Sequence, residues 1–430
     1  MKILKERMVL YSILIFTAVF MLIFLLNRRS LFEHLSFLNS GYRQTTILKC
    51  DNGFIKSKQH LLMYIEDHNI DRINRYYAPL ENNGDDLGIY YYVVKIKDLF
   101  QIESTQASYN VFCISIIFIS FIVSITGCNL LFKKKKVKIA AFISIGIYSI
   151  FTFFIMDVYV MGFLTVSFVP LIIYCFRYLN ELKFYKIILL FSFIGLILGI
   201  ANNFRNHTGT GILIFTTIML IFSLNKQNWS KLTLLFLILL LTNQFENFHF
   251  NQLKESRDKW ISQKNISSRE LLKKNQGHLL WHPLYLGLAF TPNKYGIKWS
   301  DKHGYDIALK KEQNIKIDFY NCGDKYEKII KNEFINIVAK DPIFVIKTYF
   351  IKLLYVLLFL LPCFNIAPLL FFKIKINRAI LISILSSIAF YSIPAVLVWP
   401  FPMYFLPAMF MAILLSLIYF EKWIDTEKKQ

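Results

Sequence analysis

Residues 108–157 read SYNVFCISIIFISFIVSITGCNLLFKKKKVKIAAFISIGIYSIFTFFIMD. Two apolar runs, each long enough to cross a hydrocarbon layer of about 30 Å, are joined by four consecutive lysines, and the second run ends on a lone carboxylate. A lysine-rich turn at one end and a nearly uncharged turn at the other is the pattern of paired membrane spans, with the lysines on the cytoplasmic side.

The rest of the chain repeats that pattern. Of its 430 residues 55% are hydrophobic and 42 are Phe, which places it outside the composition of ordinary soluble domains. Apolar windows fall at 8–26, 109–132, 139–156, 158–176, 187–204, 208–224, 232–247, 353–372, 379–399 and 402–420, about ten in all. The run at 8–26 is too long for a signal peptide, and LLNRRS offers no small-residue cleavage site, so it reads as a span.

Basic clusters occur at alternate span ends: Lys2, Lys5 and Arg7; Lys133 to Lys136 with Lys138; Arg177, Lys183 and Lys186; Lys226 and Lys231; Lys373, Lys375 and Arg378; and Lys422, Lys428 and Lys429. The opposite ends carry only Asp157, the Arg205 to His207 turn and WPFPM at Trp399 to Met403. Both termini are therefore expected in the cytoplasm, and the long segments 27–108 and 248–348 outside. The formal charge of +21 needs no nucleic acid. Much of it marks the inner face, and the remainder can meet lipid phosphates.

Four cysteines, Cys113, Cys128, Cys175 and Cys363, fall in spans as small packing residues. Cys50 and Cys322 lie one in each outer segment, where an oxidising compartment would permit a bridge.

The two outer segments read as ordered insertions into one membrane domain. In the second, Ser267 and Glu270 are spaced for a capping box. Tyr326, Ile329, Ile330, Phe334, Ile337 and Val338 recur at helical spacing. Asp341 and Pro342 supply a cap and a first-turn proline for a further helix, PIFVIKTYFIK, expected to lie along the interface before the next span begins. In the first, ENNGDDLGIYYYVVKIKDLF (81–100) sets Asp85 and Asp86 before an amphipathic piece whose tyrosines suit the headgroup layer.

An N-terminal span, a long outer loop ending in acid-acid-x-Gly-x-Tyr-Tyr, a peripheral helix and a basic turn after the second span together resemble the polyprenyl-phosphate-sugar-dependent glycosyltransferases of the GT-C fold. KDPIFVIKTYFIKLL and VWPFPMYFLPAMFMAIL resemble their Asp-Pro entry into a late span and their proline-containing final spans. The resemblance implies an all-α, GT-C-like polytopic protein of the bacterial inner membrane. It would move a sugar from a polyprenyl-phosphate-linked donor to a glycan, lipid or protein acceptor at the outer face.

In that family an outer-loop aspartate takes the proton of the acceptor hydroxyl, and the matching acids here are Asp85 and Asp86. A hydroxyl is a poor nucleophile near neutral pH, and a positioned carboxylate contributes roughly 10² to 10⁴ in rate. The second acid would raise the first one's pKa or bind a divalent cation. A plain solvated turn accounts for NNGDDLG equally well. The pattern also departs from the family, since nearly sixty residues separate the first span from these acids, which brings Asp51 and Glu66 into consideration.

Arg205 and His207, at the outer end of a span, could grip the leaving phosphate, although an interfacial arginine needs no ligand. Asp157 would be a further polar group of the site. His282 and Tyr285, with Trp281, offer stacking and hydrogen-bonding faces to a sugar, or pack a subdomain core. His278 and His282 stand four apart like a metal pair, but no third ligand is visible in the sequence.

Two other readings remain open. A polysaccharide polymerase or ligase would rest on Arg205 without needing Asp85 or Asp86. A lipid-linked-glycan flippase or ion-coupled carrier would place acids and bases at mid-membrane, where the spans have almost none.

Overall fold

The computed structural model describes residues 62–67, 74–79, 87–102, 105–155, 159–205, 207–222, 229–263, 280–312, 324–365, 367–371 and 373–427. Apart from one antiparallel hairpin, β1 (Leu62–Asp67) with β2 (Asn74–Pro79), every element is helical. In the hairpin Glu66 is paired in register with Arg75.

The helices in chain order are α1 (Leu87–Leu99), α2 (Thr105–Leu131), α3 (Lys135–Ile155), α4 (Val160–Ser167), α5 (Val169–Arg177), α6 (Phe184–Phe204), α7 (Thr210–Ile221) and α8 (Trp229–Gln263). There follow α9 (Trp281–Gly287), α10 (Asp301–Lys311), α11 (Asp324–Lys340), α12 (Pro342–Phe364), α13 (Ala367–Leu370), α14 (Arg378–Leu397) and α15 (Leu406–Glu427).

Among the described residues seven helical segments are long and apolar enough to cross a membrane: α2, α3, α4 with α5, α6, α12, α14, and α15 with the turn before it. The chain is therefore an α-helical integral membrane protein. Of the further spans expected from hydropathy, 8–26 lies outside the described residues. The window at 208–224 forms a helix of only 12 residues, and that at 232–247 is the first half of the 35-residue α8, whose second half is polar.

Helix α15 is the centre. From Leu406 to Phe420 its sequence is apolar on all sides, as a helix surrounded by protein must be, and 89% of its span is buried against 28% for α12. It packs on α3, α4, α12 and α14, while α2 braces α3, α4 and α5, and α7 lies on α14. Large apolar side chains such as Phe118, Leu189, Leu241 and Leu358 point outward, fully compatible with lipid and not with water.

Helices α6 and α8 pack closely. Gly195 and Gly199, one turn apart in GLILG, face α8 so tightly that a Cβ on Gly199 would stand 2.6 Å from the Asn243 carbonyl, and one on Gly195 would overlap Thr242. Small residues at this spacing let two backbones approach and gain dispersion contact.

One expected boundary moves. Asp341 does cap a helix, its carboxylate accepting the Phe344 N–H at 3.1 Å with Pro342 in the first turn. That helix then runs unbroken for 23 residues to Phe364, so PIFVIKTYFIK is the first half of the span and not a separate interfacial piece. Nothing in 343–361 breaks it. Ile343 and Ile346, 76% and 68% exposed, continue the outward apolar face from the first turn.

Among the described residues, basic side chains of the clusters at 133–138, 177, 373–378 and 422 gather at one end of the bundle. Arg177 Nη1 donates to the Leu131 carbonyl at 3.4 Å, Lys134 pairs with Asp425 at 2.9 Å, and the Lys133 amide donates to Glu421 at 2.7 Å. At the opposite end α9, α10 and α11 form a small second core around Tyr285, Tyr305, Tyr326 and Ile330, with Ile329, Phe334 and Val338 packed on it. This is the amphipathic face expected of α11.

Candidate functional site

The end of the bundle away from the lysines carries Arg205. It is the residue at which α6 stops, with extended backbone angles, so its side chain leaves the helix sideways. Its guanidinium lies 5.0 Å from the ring centre of Tyr159 and 5.9 Å from that of Tyr404, and Nη2 donates to the Tyr159 hydroxyl. Tyr159 precedes α4, and Tyr404 belongs to the 3-10 turn Pro402–Phe405 leading into α15. Three segments thus fix one planar cation beside two aromatic rings that stand edge to face, a geometry that lysine would not reproduce.

The turn after Arg205 is pinned from below. The Asn202 side chain accepts the Gly209 N–H at 2.7 Å, and the Thr208 carbonyl accepts the hydroxyls of Tyr391 at 2.8 Å and Thr165 at 3.3 Å. The donors come from α14 and α4, so the turn cannot shift without breaking bonds to buried helices. His207 sits half-buried on this turn. Burial, helped by the Arg205 charge, lowers its pKa to about 4, so at neutral pH it is an uncharged imidazole able to donate and accept.

Helix α1 docks on the same place. A Cβ on Gly88 would stand 2.8 Å from the Asn203 carbonyl carbon and oxygen, so the first turn of α1 rests directly on the last turn of α6. Only glycine permits that approach. Tyr92 secures the helix: its ring stacks on Phe204 at 5.6 Å, and its hydroxyl donates to Glu246 Oε2 at 2.9 Å. Burial and the Glu246 charge raise the Tyr92 pKa. His249 Nδ1 meets the same carboxylate oxygen at 3.2 Å, and Tyr91 packs edge-on against Phe250.

Asp85 and Asp86, the two residues before Leu87, lie outside the described residues, as do Asp157, Asp51, His278, Cys50, Cys322 and the Ser267–Glu270 box. Of the expected site residues the structure therefore brings Arg205 and His207 together, beside the start of α1. Glu246, His249, Tyr92, Tyr159 and Tyr404 were not singled out from sequence. The signal available was the pair Glu246 and His249, three apart at the end of an apolar run, where both fall on one helix face.

His282 and Tyr285 belong to the second core. Each is 3% exposed. His282 Nδ1 is bonded to the Tyr326 hydroxyl and Nε2 to Asp301 Oδ1 at 3.1 Å, while Glu327 accepts the backbone N–H groups of Trp281 and His282 at 2.9 and 3.3 Å. Tyr285 stacks in parallel with His303 at 6.3 Å, and burial pushes its pKa up to about 12. These contacts close α9, α10 and α11 into one unit.

The unit is tied to the spans through Thr291 and Thr348, bonded at 2.6 Å, through Lys294 with Asp341 at 3.0 Å, and by Trp299 against Trp399 at 4.7 Å. Among the described residues no three His, Cys, Asp or Glu side chains gather as a metal site. Compared with known proteins, the chain matches no family model, no curated protein and no solved structure.

Proposed function

We propose that the chain is a membrane glycosyltransferase that moves a sugar from a polyprenyl-phosphate donor to an acceptor at the outer face. The end bearing Arg205 would be the outer one. The observation that carries this reading is the docking of α1 on Asn203, because the helix that directly follows Asp85 and Asp86 starts two residues from Arg205 along α6.

In the reaction one aspartate would accept the proton of the acceptor hydroxyl as its oxygen bonds to the anomeric carbon. The bond from that carbon to the phosphate oxygen breaks, and the lipid phosphate leaves with the electron pair. Arg205, oriented by Tyr159 and Tyr404, would neutralise the charge growing on that oxygen, and His207, uncharged, would hydrogen-bond without adding to it. Asp85 and Asp86 would be the residues to hold a divalent cation, which would supply the same charge stabilisation.

The test is transfer from a labelled polyprenyl-phosphate sugar in membranes containing the full chain, with Asp85→Asn and Asp86→Asn measured singly at matched protein level. Loss of about 10²-fold or more in one variant is the expected result. Full activity in both would remove the base. A polymerase or ligase of polyprenyl-linked glycans, which the Arg205 cradle also suits, would then be the better reading if Arg205→Ala still abolished product.

A further inference from the structure

At the lysine-rich end, far from the Arg205 cluster, a cavity of about 650 Å³ opens between the ends of α5, α7 and α15 and the start of α14. Six cationic side chains line it: Lys133, Lys134, Arg177, Lys375, Arg378 and Lys422. Among the described residues only two carboxylates do, Glu421 and Asp425, and both are engaged, by the Lys133 amide and by Lys134. The described lining therefore carries an excess of four positive charges.

A topological lysine signal alone requires basic residues near the membrane surface, not convergence from four separate segments on one concavity. The first turn of α14, with Asn377, Arg378 and Ala379 in the wall, adds the positive end of a helix dipole. The deeper wall is apolar. Ile173 and Met219, 1% and 4% exposed, lie below Phe176 and Phe222. A basic mouth over an apolar wall suits a phosphate that carries a hydrocarbon tail.

We infer that this cavity is a binding site for a phosphate headgroup, entered by a phosphate-bearing amphiphile from the adjacent leaflet. Arg177 and Arg378 hold the phosphate from opposite walls, and Lys375 and Lys422 supply the surrounding charge. The site is independent of the transferase reading, since no residue is shared between them.

Full-length protein in neutral detergent is titrated with dihexanoyl phosphatidic acid, with dihexanoyl phosphatidylcholine and with inorganic pyrophosphate, following binding and thermal stability. Saturable binding of phosphatidic acid and a raised Tm are expected, with affinity weakened about tenfold or more in Arg177→Gln/Arg378→Gln. Because Arg177 also holds the Leu131 carbonyl, Lys375→Gln/Lys422→Gln, at two exposed positions, provides a second variant if the first is unstable.

Equal response to pyrophosphate would keep the phosphate site but make its natural ligand a soluble phosphate ester. Equal response to phosphatidylcholine, no saturable binding of any probe, or unchanged affinity in a folded charge variant would overturn the proposal.

Discussion

His207 is held uncharged by the turn it helps to build. Its pKa is lowered from an ordinary value near 6.5 to about 4, so the unfolded chain binds this proton more readily than the folded one. The stabilising difference is fully present above about pH 6.5 and is lost as pH falls towards 4, with a ceiling of about 3 kcal/mol. Thermal unfolding in detergent near neutrality and near pH ~5 should show a smaller drop for His207→Gln than for the natural chain. Identical drops would place the acid sensitivity elsewhere. Arg205 makes a different demand, because its guanidinium sits beside two rings and bonds the Tyr159 hydroxyl. Arg205→Lys keeps the charge but loses the fork, and is expected to slow donor turnover about tenfold or more, while Tyr159→Phe removes one hydroxyl and costs less. A lysine variant as fast as the natural chain would mean that Arg205 only anchors the turn. The Arg205 to His207 pair was legible from sequence as two polar side chains stranded at a span end. The aromatic cradle was not, because Tyr159 and Tyr404 lie 245 positions apart in the sequence and meet only when α4 and α15 pack.

At the scale of elements, local rules carried α11 and the start of α12. The 3.6-residue spacing of Tyr326, Ile330 and Ile337 became the buried face, and Asp341 with Pro342 became the cap. They failed at Lys352, the last residue of PIFVIKTYFIK, which read as interfacial. Lys352 is instead fully buried, donating to the carbonyls of Leu397 at 3.3 Å and Val398 at 2.9 Å, with its ammonium 5.0 Å from the Tyr349 ring centre. It closes the C-terminal end of α14, where carbonyls have no helical partner and the dipole favours a cation. A lysine facing carbonyls from another helix has no local sequence signature. Lys352→Met keeps the volume and leaves those carbonyls buried without a donor, so it should destabilise the protein by about 1–3 kcal/mol, read as a lowered Tm in detergent. An unchanged Tm would show that the cap contributes nothing. GLILG was legible in principle, yet glycines four apart name a close-packed face without naming the partner, α8.

At the scale of the whole molecule, the basic span ends that fall among the described residues come together at one end of the bundle. Clusters from α2, α5, α14 and α15 meet around one cavity, and the second core, with Trp399, gathers at the other end. Which end faces the cytoplasm is a matter of the charge bias acting during insertion. The transferase reading depends on it, since a polyprenyl-linked donor and the Arg205 cluster must share a face. Lys135 and Lys298 are both exposed, one at each end. In a background with the native cysteines replaced by serine, Lys298→Cys should react with a membrane-impermeant maleimide on intact cells, and Lys135→Cys only after permeabilisation. The reverse pattern would put Arg205 inside and end the outer-face mechanism. Labelling of both on intact cells would mean that the two ends do not lie on opposite sides of one bilayer, and the α-helical bundle would then need a different placement in the membrane.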